Sequence, residues 1–139
     1  MIATRTLAST LLVALAAGCT MQNKPLELTG DRQTELRTVQ SRVYDATDTR
    51  RMLRAVMATL QDLGFVIDNA NDAIGTVSAT KLDKYRLRMT VSVRQRGTTQ
   101  LLVRANAQYN LLAVEDADLY QQFFDALSGS VSLAAQPLH

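Results

Sequence analysis

The side chains that most often carry chemistry are scarce in this chain. It has one cysteine, Cys19, and one histidine, His139, the last of 139 residues. A terminal imidazole lacks the fixed partner that a general base or a metal ligand needs. Metal binding by histidine or free thiol is excluded on count alone, and no cofactor is expected. Asp68, Asn69, Asn71 and Asp72 crowd one short segment. That segment lacks the glycine and the terminal glutamate of a calcium loop, and an Asx-rich turn accounts for it. Asp45 and Asp48 lie where a helix should start, as do Glu115, Asp116 and Asp118. Carboxylates there cap free N–H groups and suit the helix dipole. No Ser-His or paired-carboxylate arrangement stands out, so the chain reads as non-catalytic.

Cys19 is the exception, because of what precedes it. A single charge, Arg5, is followed by an apolar run from Leu7 to Leu15 and then by Ala16-Ala17-Gly18-Cys19. A cationic start, a short apolar middle and small residues before a cut are the layout of a secretory signal. The run is too short to span a bilayer, which takes about 20 apolar residues. The whole stretch resembles a bacterial lipobox, with Leu15 one position further back than in many. The resemblance implies diacylglyceryl transfer to the Cys19 sulfur, cleavage after Gly18 and acylation of the new amine. Two or three acyl chains hold a protein firmly to a membrane where one holds marginally. Thr20 stands where an aspartate would retain a proteobacterial lipoprotein in the inner membrane. The expected place is therefore the outer membrane, facing the periplasm. An ordinary signal peptide followed by a chance cysteine is the alternative.

Arginine supplies the other candidate chemistry. Arg86, Arg88 and Arg94 share one parity of an alternating segment, and Arg96 continues it. Arg104, and Arg42 further upstream, can join them on neighbouring strands. Guanidinium forks match phosphate and carboxylate oxygens. The row is a candidate site for an anion or an acidic partner; the bland alternative is a solvated sheet face whose charges deter aggregation.

These residues must be positioned by the rest of the chain. The chain has 15 basic and 13 acidic residues, 47% apolar residues and no tryptophan. Loss of residues 1–18 leaves about 120 residues, one domain, with charge near balance. That argues against a nucleic-acid protein, which carries a basic excess. Residues 19–36 read as the lipidated cysteine and a flexible tether, and 37–135 as the domain. A strand is expected over 37–44, with Arg42 and Tyr44 on one face and Val39 and Val43 on the other. A helix follows over 49–63, with Leu53, Val56, Met57, Leu60 and Leu63 as its apolar stripe. Gly64 should end it in the left-handed conformation, letting Phe65 fold back on Leu60.

Strands are then expected over 65–68 and 74–80, with a turn over 69–72 between them. The small Gly75, Ser78 and Ala79 call for a close neighbour, such as a helix. Residues 84–96 alternate most clearly, with Tyr85, Leu87, Met89, Val91 and Val93 inward. Gly97-Thr98-Thr99 is the hairpin turn. Residues 100–109 return with Leu101, Val103, Ala105, Ala107 and Tyr109 inward. A last helix starts near Asp116 or Asp118, with Tyr120, Phe123, Leu127 and Val131 as its stripe. The expected fold is α+β, a mostly antiparallel sheet with two helices on one face, in the order β-α-β-β-β-β-α.

Three segments carry a resemblance. Ala58-Thr59-Leu60-Gln61-Asp62-Leu63-Gly64-Phe65-Val66-Ile67-Asp68 and Ile74-Gly75-Thr76-Val77-Ser78-Ala79-Thr80-Lys81 are similar to a pattern in small uncharacterised bacterial outer-membrane lipoproteins. Leu119-Tyr120-Gln121-Gln122-Phe123-Phe124-Asp125-Ala126-Leu127-Ser128 fits the same group. The element order is similar to BamC-type helix-grip lipoprotein domains. Together they imply a membrane-anchored, non-catalytic accessory or scaffold with an envelope protein partner and the membrane as its anchor. A periplasmic binding module for an anionic or lipidic ligand is the second expectation, with a cavity between helices and sheet in place of a filled core.

Overall fold

A strand whose alternate residues are all apolar must bury one face, and two adjoining segments here do so. β4 (Arg86–Arg96) buries Leu87, Met89, Val91 and Val93, and β5 (Gln100–Tyr109) buries Leu101, Val103, Ala105 and Ala107. They form the central hairpin of the sheet, closed by a turn at residues 97–99. The computed structural model describes residues 30–135, so the leader, Cys19 and His139 lie outside the described residues.

In chain order the elements are α1 (Gly30–Val39), β1 (Ser41–Tyr44), α2 (Thr49–Asp62), β2 (Val66–Asn71) and β3 (Thr76–Leu82). The central hairpin β4 and β5 follows, then β6 (Leu112–Ala113) and α3 (Ala117–Ala135). The sheet order is β1-β5-β4-β3-β2, and β6 also pairs with β5. All the pairings are antiparallel. The fold is α+β, with six strands and three helices among the described residues.

Helices α2 and α3 fill the inner face. Met52, Leu53, Val56 and Leu60 from α2 join Tyr120, Phe123, Phe124 and Leu127 from α3 in one buried cluster with β3, β4 and β5. Asp48 caps α2 by accepting from Arg51 N at 3.0 Å, and Asp116 accepts from Asp118 N at 3.0 Å at the start of α3. The end of α2 matches the sequence reading. Gly64 has φ 88°, Gly64 N donates to Gln61 O at 3.0 Å, and Phe65 N donates to Leu60 O at 2.9 Å. That pair of bonds is a Schellman motif, which satisfies carbonyls left over at a helix end. Lys81 adds a third cap, its Nζ donating to Leu63 O at 3.0 Å.

Several expectations are corrected. Residues 30–39 are helical, so the expected tether loses its last residues to α1 and the first strand begins at Ser41. The helix has no broad apolar stripe. Leu36 and Val39 alone pack on the core, and Arg32 pairs with Glu115 at 3.1 Å. Tertiary contact therefore decides it. β2 runs to Asn71, past the expected end at Asp68, and a bulge at Asp68 breaks its register with β3. As an edge strand it is mostly exposed, which hides the period of two. The neighbour that demands Gly75 is the backbone of β4 rather than a helix. A Cβ at Gly75 would lie 2.6 Å from Val93 O. Tyr85 and Tyr109 take the inward side as expected but stay exposed, lining an open hollow with Leu119 of α3 instead of a filled core.

Candidate functional site

The strand register settles which side chains share the uncovered face. Residues directly opposite each other in an antiparallel pair point the same way. Thr80 pairs with Arg88, Ser78 with Thr90 and Thr76 with Ser92. Across the other edge of β4, Arg88 pairs with Gln108, Thr90 with Asn106, Ser92 with Arg104, Arg94 with Leu102 and Arg96 with Gln100. Leu82 pairs with Arg86. The outward positions of β3, β4 and β5 thus hold hydroxyls, amides, two leucines and arginines, and none of them is a carboxylate.

Five of the arginines named from the sequence lie on this face, but they do not form one row. Arg86 and Arg88 sit at one end of β4. Arg94 and Arg96 sit at the other, with Arg104 beside Ser92. Six residues of strand separate Arg88 from Arg94, about 20 Å. A single phosphate cannot bridge that gap, so the face carries two cationic patches divided by Thr90 and Ser92. Arg96 is the last residue of β4, opposite Gln100.

Arg94 is committed to structure. Its Nη1 donates to Ile74 O, to Gly75 O at 3.4 Å and to Val93 O at 3.1 Å, fastening the start of β3 to β4. Arg104 Nε donates to Ser41 Oγ at 3.3 Å. No carboxylate pairs with Arg86, Arg88, Arg96 or Arg104 among the described residues. Arg42 belongs to the opposite face, because it pairs with the inward Val103. Its guanidinium lies 5.2 Å from the Phe124 ring centre and donates to Ser128 Oγ at 3.1 Å and Asp125 Oδ1 at 3.3 Å. It fastens β1 to α3. Beside it, Tyr44 Oη lies 3.1 Å from Ser128 Oγ, and burial pushes the Tyr44 hydroxyl above its ordinary pKa of 10.0.

The carboxylates and amides of the acidic segment are consumed locally. Asn71 Oδ1 accepts from Ala73 N and Ile74 N, Asp68 accepts from Thr80 Oγ1 at 2.6 Å, and Asp72 pairs with Arg50. No three histidine, cysteine or acidic side chains come together around a possible metal position among the described residues.

Two surfaces have no counterpart in the sequence reading. One is an open groove of 590 Å³ where Asp45 to Asp48 and the first turns of α2 meet Ser130 and Val131 of α3. It lies outside the core rather than between helices and sheet, where Leu53, Val56, Leu60, Phe123 and Leu127 leave no expected cavity. The other is the end of the sheet where β3 turns into β4 and β5 into β6. Leu82, Tyr85, Tyr109, Leu111 and Leu112 are exposed there. The parity of Tyr85 and Tyr109 pointed to the core, and Leu119 of α3 lies beside them without covering them.

No protein-family model matches the chain, and no curated protein matches it. Among solved structures the chain is similar to a DUF4468 family protein from Bacteroides ovatus. The two share 10% sequence identity, the match covers 70% of this chain and 85% of that one, and the TM-score is 0.33. A likeness that loose carries no inference about what this chain does.

Proposed function

We propose that this chain is a lipid-anchored outer-membrane protein, of helix-grip-like build and facing the periplasm, that serves as a non-catalytic accessory or scaffold in an envelope complex. Cys19, after Leu15-Ala16-Ala17-Gly18, is the lipidation site in this reading. The observation that carries the scaffold role is the uncovered sheet face. Among the described residues Arg86, Arg88, Arg96 and Arg104 project from it without a paired carboxylate, among hydroxyls and amides and with no outward carboxylate on β3, β4 or β5. Such a face is soluble alone and attracts an acidic protein surface, with the guanidinium forks giving orientation.

The test is purification of the intact protein from membranes, alongside a variant with these four arginines changed to Gln. The expected result is a stoichiometric acidic partner with the first and its salt-sensitive loss with the second. Equal recovery of that partner by both proteins removes the basic face from the reading. A soluble mature protein with an unmodified Cys19 removes the anchor.

The groove beside α2 favours a second reading, a binding module for an anionic or lipidic ligand. Ala46, Met52, Ala55 and Val131 give it apolar lining, and Arg51 and Arg54 stand at its rim. A lipid retained by the purified protein, with no protein partner, selects this reading.

A further inference from the structure

Apolar side chains left in water at one end of a domain need an explanation when they cluster. Among the described residues, seven large apolar side chains are exposed, and five of them, Leu82, Tyr85, Tyr109, Leu111 and Leu112, belong to one end of the sheet. The register sets them on both faces of that end, with Tyr109 and Leu112 on the inward side and Leu82 on the outward side. Tyr109 pairs with Leu112, Leu87 with Tyr109, and Leu82 with Arg86. Asn110, at φ 54°, turns the chain between β5 and β6 and donates its N–H to Arg86 O at 2.9 Å. The Tyr85 and Tyr109 rings meet edge to face at 6.2 Å. Leu111 is 89% exposed, on a two-strand turn that projects it beyond the sheet. The opposite end of the same hairpin is Gly97-Thr98-Thr99, with no large apolar side chain.

The surroundings specify an occupant. Lys84, Arg86 and Arg88 flank the apolar end, with Asp83 as the one acid in the β3–β4 turn. Leucines at the apex, tyrosines behind them and cations on the shoulder follow the polarity of a bilayer surface. Acyl chains take the leucines, the headgroup boundary takes amphipathic rings, and anionic phosphates take the charges. The start of α1 points the same way. Arg32 pairs with Glu115, three residues past Leu112, so the first turn of α1 lies beside the segment that joins β6 to α3. From Gly30 back to Cys19 the chain has eleven residues, which can reach at most about 38 Å. An anchor at Cys19 thus leaves the domain from its apolar end.

We propose that this end, with Leu82, Tyr85, Tyr109, Leu111 and Leu112, docks on an anionic bilayer and fixes the domain upright on the membrane. The inference rests on the lipid-anchored reading for its orientation, and it leaves the basic sheet face standing perpendicular to the bilayer, open to a partner from the side.

The chain has no tryptophan, so a single introduced indole reports its own depth. Leu111→Trp and Thr98→Trp are made in the full chain, purified from membranes and reconstituted into vesicles of phosphatidylethanolamine and phosphatidylglycerol. Some vesicles carry brominated acyl chains. The expected result is blue-shifted emission from Leu111→Trp, quenched at least twofold by the brominated lipid, with Thr98→Trp unshifted and unquenched. Equal behaviour of the two indoles overturns the docking geometry. So does a Leu111→Trp blue shift that grows with protein concentration without vesicles, which would place a second copy on the end. The mass of the same samples reads the anchor separately. An acylated protein with an unquenched Leu111→Trp ends the docking proposal and spares the anchor. An unmodified Cys19 with a quenched Leu111→Trp does the reverse.

Discussion

The Tyr120 hydroxyl accepts a hydrogen bond from Ala107 N at 3.1 Å, and in doing so closes a break in the edge of the sheet. The free edge of β5 is shared by β1 at one end and β6 at the other. Between them the β5 backbone needs a partner, since an unpaired buried N–H is costly. Tyr120 supplies it from α3. Its hydroxyl also donates to Val114 O at 2.6 Å and accepts from Gln40 Nε2 at 3.1 Å. One phenol therefore joins α3, the end of α1, β5 and the segment after β6. Tyr120→Phe keeps the ring and strips this hub. Each orphaned buried group costs about 1–3 kcal/mol, and three are left, so the variant should melt at least about 12 °C lower, at about 4–8 °C per kcal/mol for a domain of this size. Thermal denaturation followed by circular dichroism checks it; an unchanged midpoint means the hub contributes nothing.

Two glycines are required by backbone geometry, for different reasons. Gly64 has φ 88° and an added Cβ would meet only the flexible Lys81 Cε at 3.4 Å. Gly64→Ala should cost about 1 kcal/mol from left-handed strain. Gly75 has φ 66° and its Cβ would lie 2.6 Å from the β4 backbone. Gly75→Ala should cost clearly more, because the β3–β4 pairing must open to admit it. Urea unfolding of both variants ranks them, and the opposite order contradicts the geometry.

Thr59 on α2 is buried, and its Oγ1 has no hydrogen-bond partner among the described residues. Thr59→Val replaces that hydroxyl with a methyl group of similar size at little change in helix propensity. Relief of the unsatisfied group should raise stability by about 1 kcal/mol. A lower melting temperature would show that the hydroxyl has a partner after all.

The arginines should separate by role. Changing Arg86, Arg88, Arg96 and Arg104 to Gln should leave the unfolding free energy within about 0.5 kcal/mol per site, as exposed charges usually do. Arg94→Gln removes the bonds to Ile74, Gly75 and Val93 carbonyls. It should speed amide exchange at Val93 N, which donates to Gly75 O at 2.8 Å, without weakening association with an acidic partner. Loss of that association on Arg94→Gln, with exchange unchanged, would reverse the assignment.

The sequence by itself determined the central hairpin, α2, its Gly64 terminator and most of α3. Each is written in a local rule: period two from Leu87 to Val93 and from Leu101 to Ala107, a three-and-four stripe from Leu53 to Leu60, and a glycine after the last apolar turn. The parity that placed Arg86, Arg88, Arg94, Arg96 and Arg104 outward is the same rule read on the other face. The tertiary structure decided what has no local rule. α1 is held by Leu36, Val39 and the Arg32–Glu115 pair, contacts that a polar ten-residue segment cannot announce. Arg42 turned inward because β1 pairs with β5 in a register set by residues sixty positions away. Arg94 became a fastener because Gly75 brings three carbonyls within its reach. Tyr85 and Tyr109 obey their parity, yet they stay exposed, because parity sets only the face a side chain takes, and the packing of neighbouring elements decides how far it is covered.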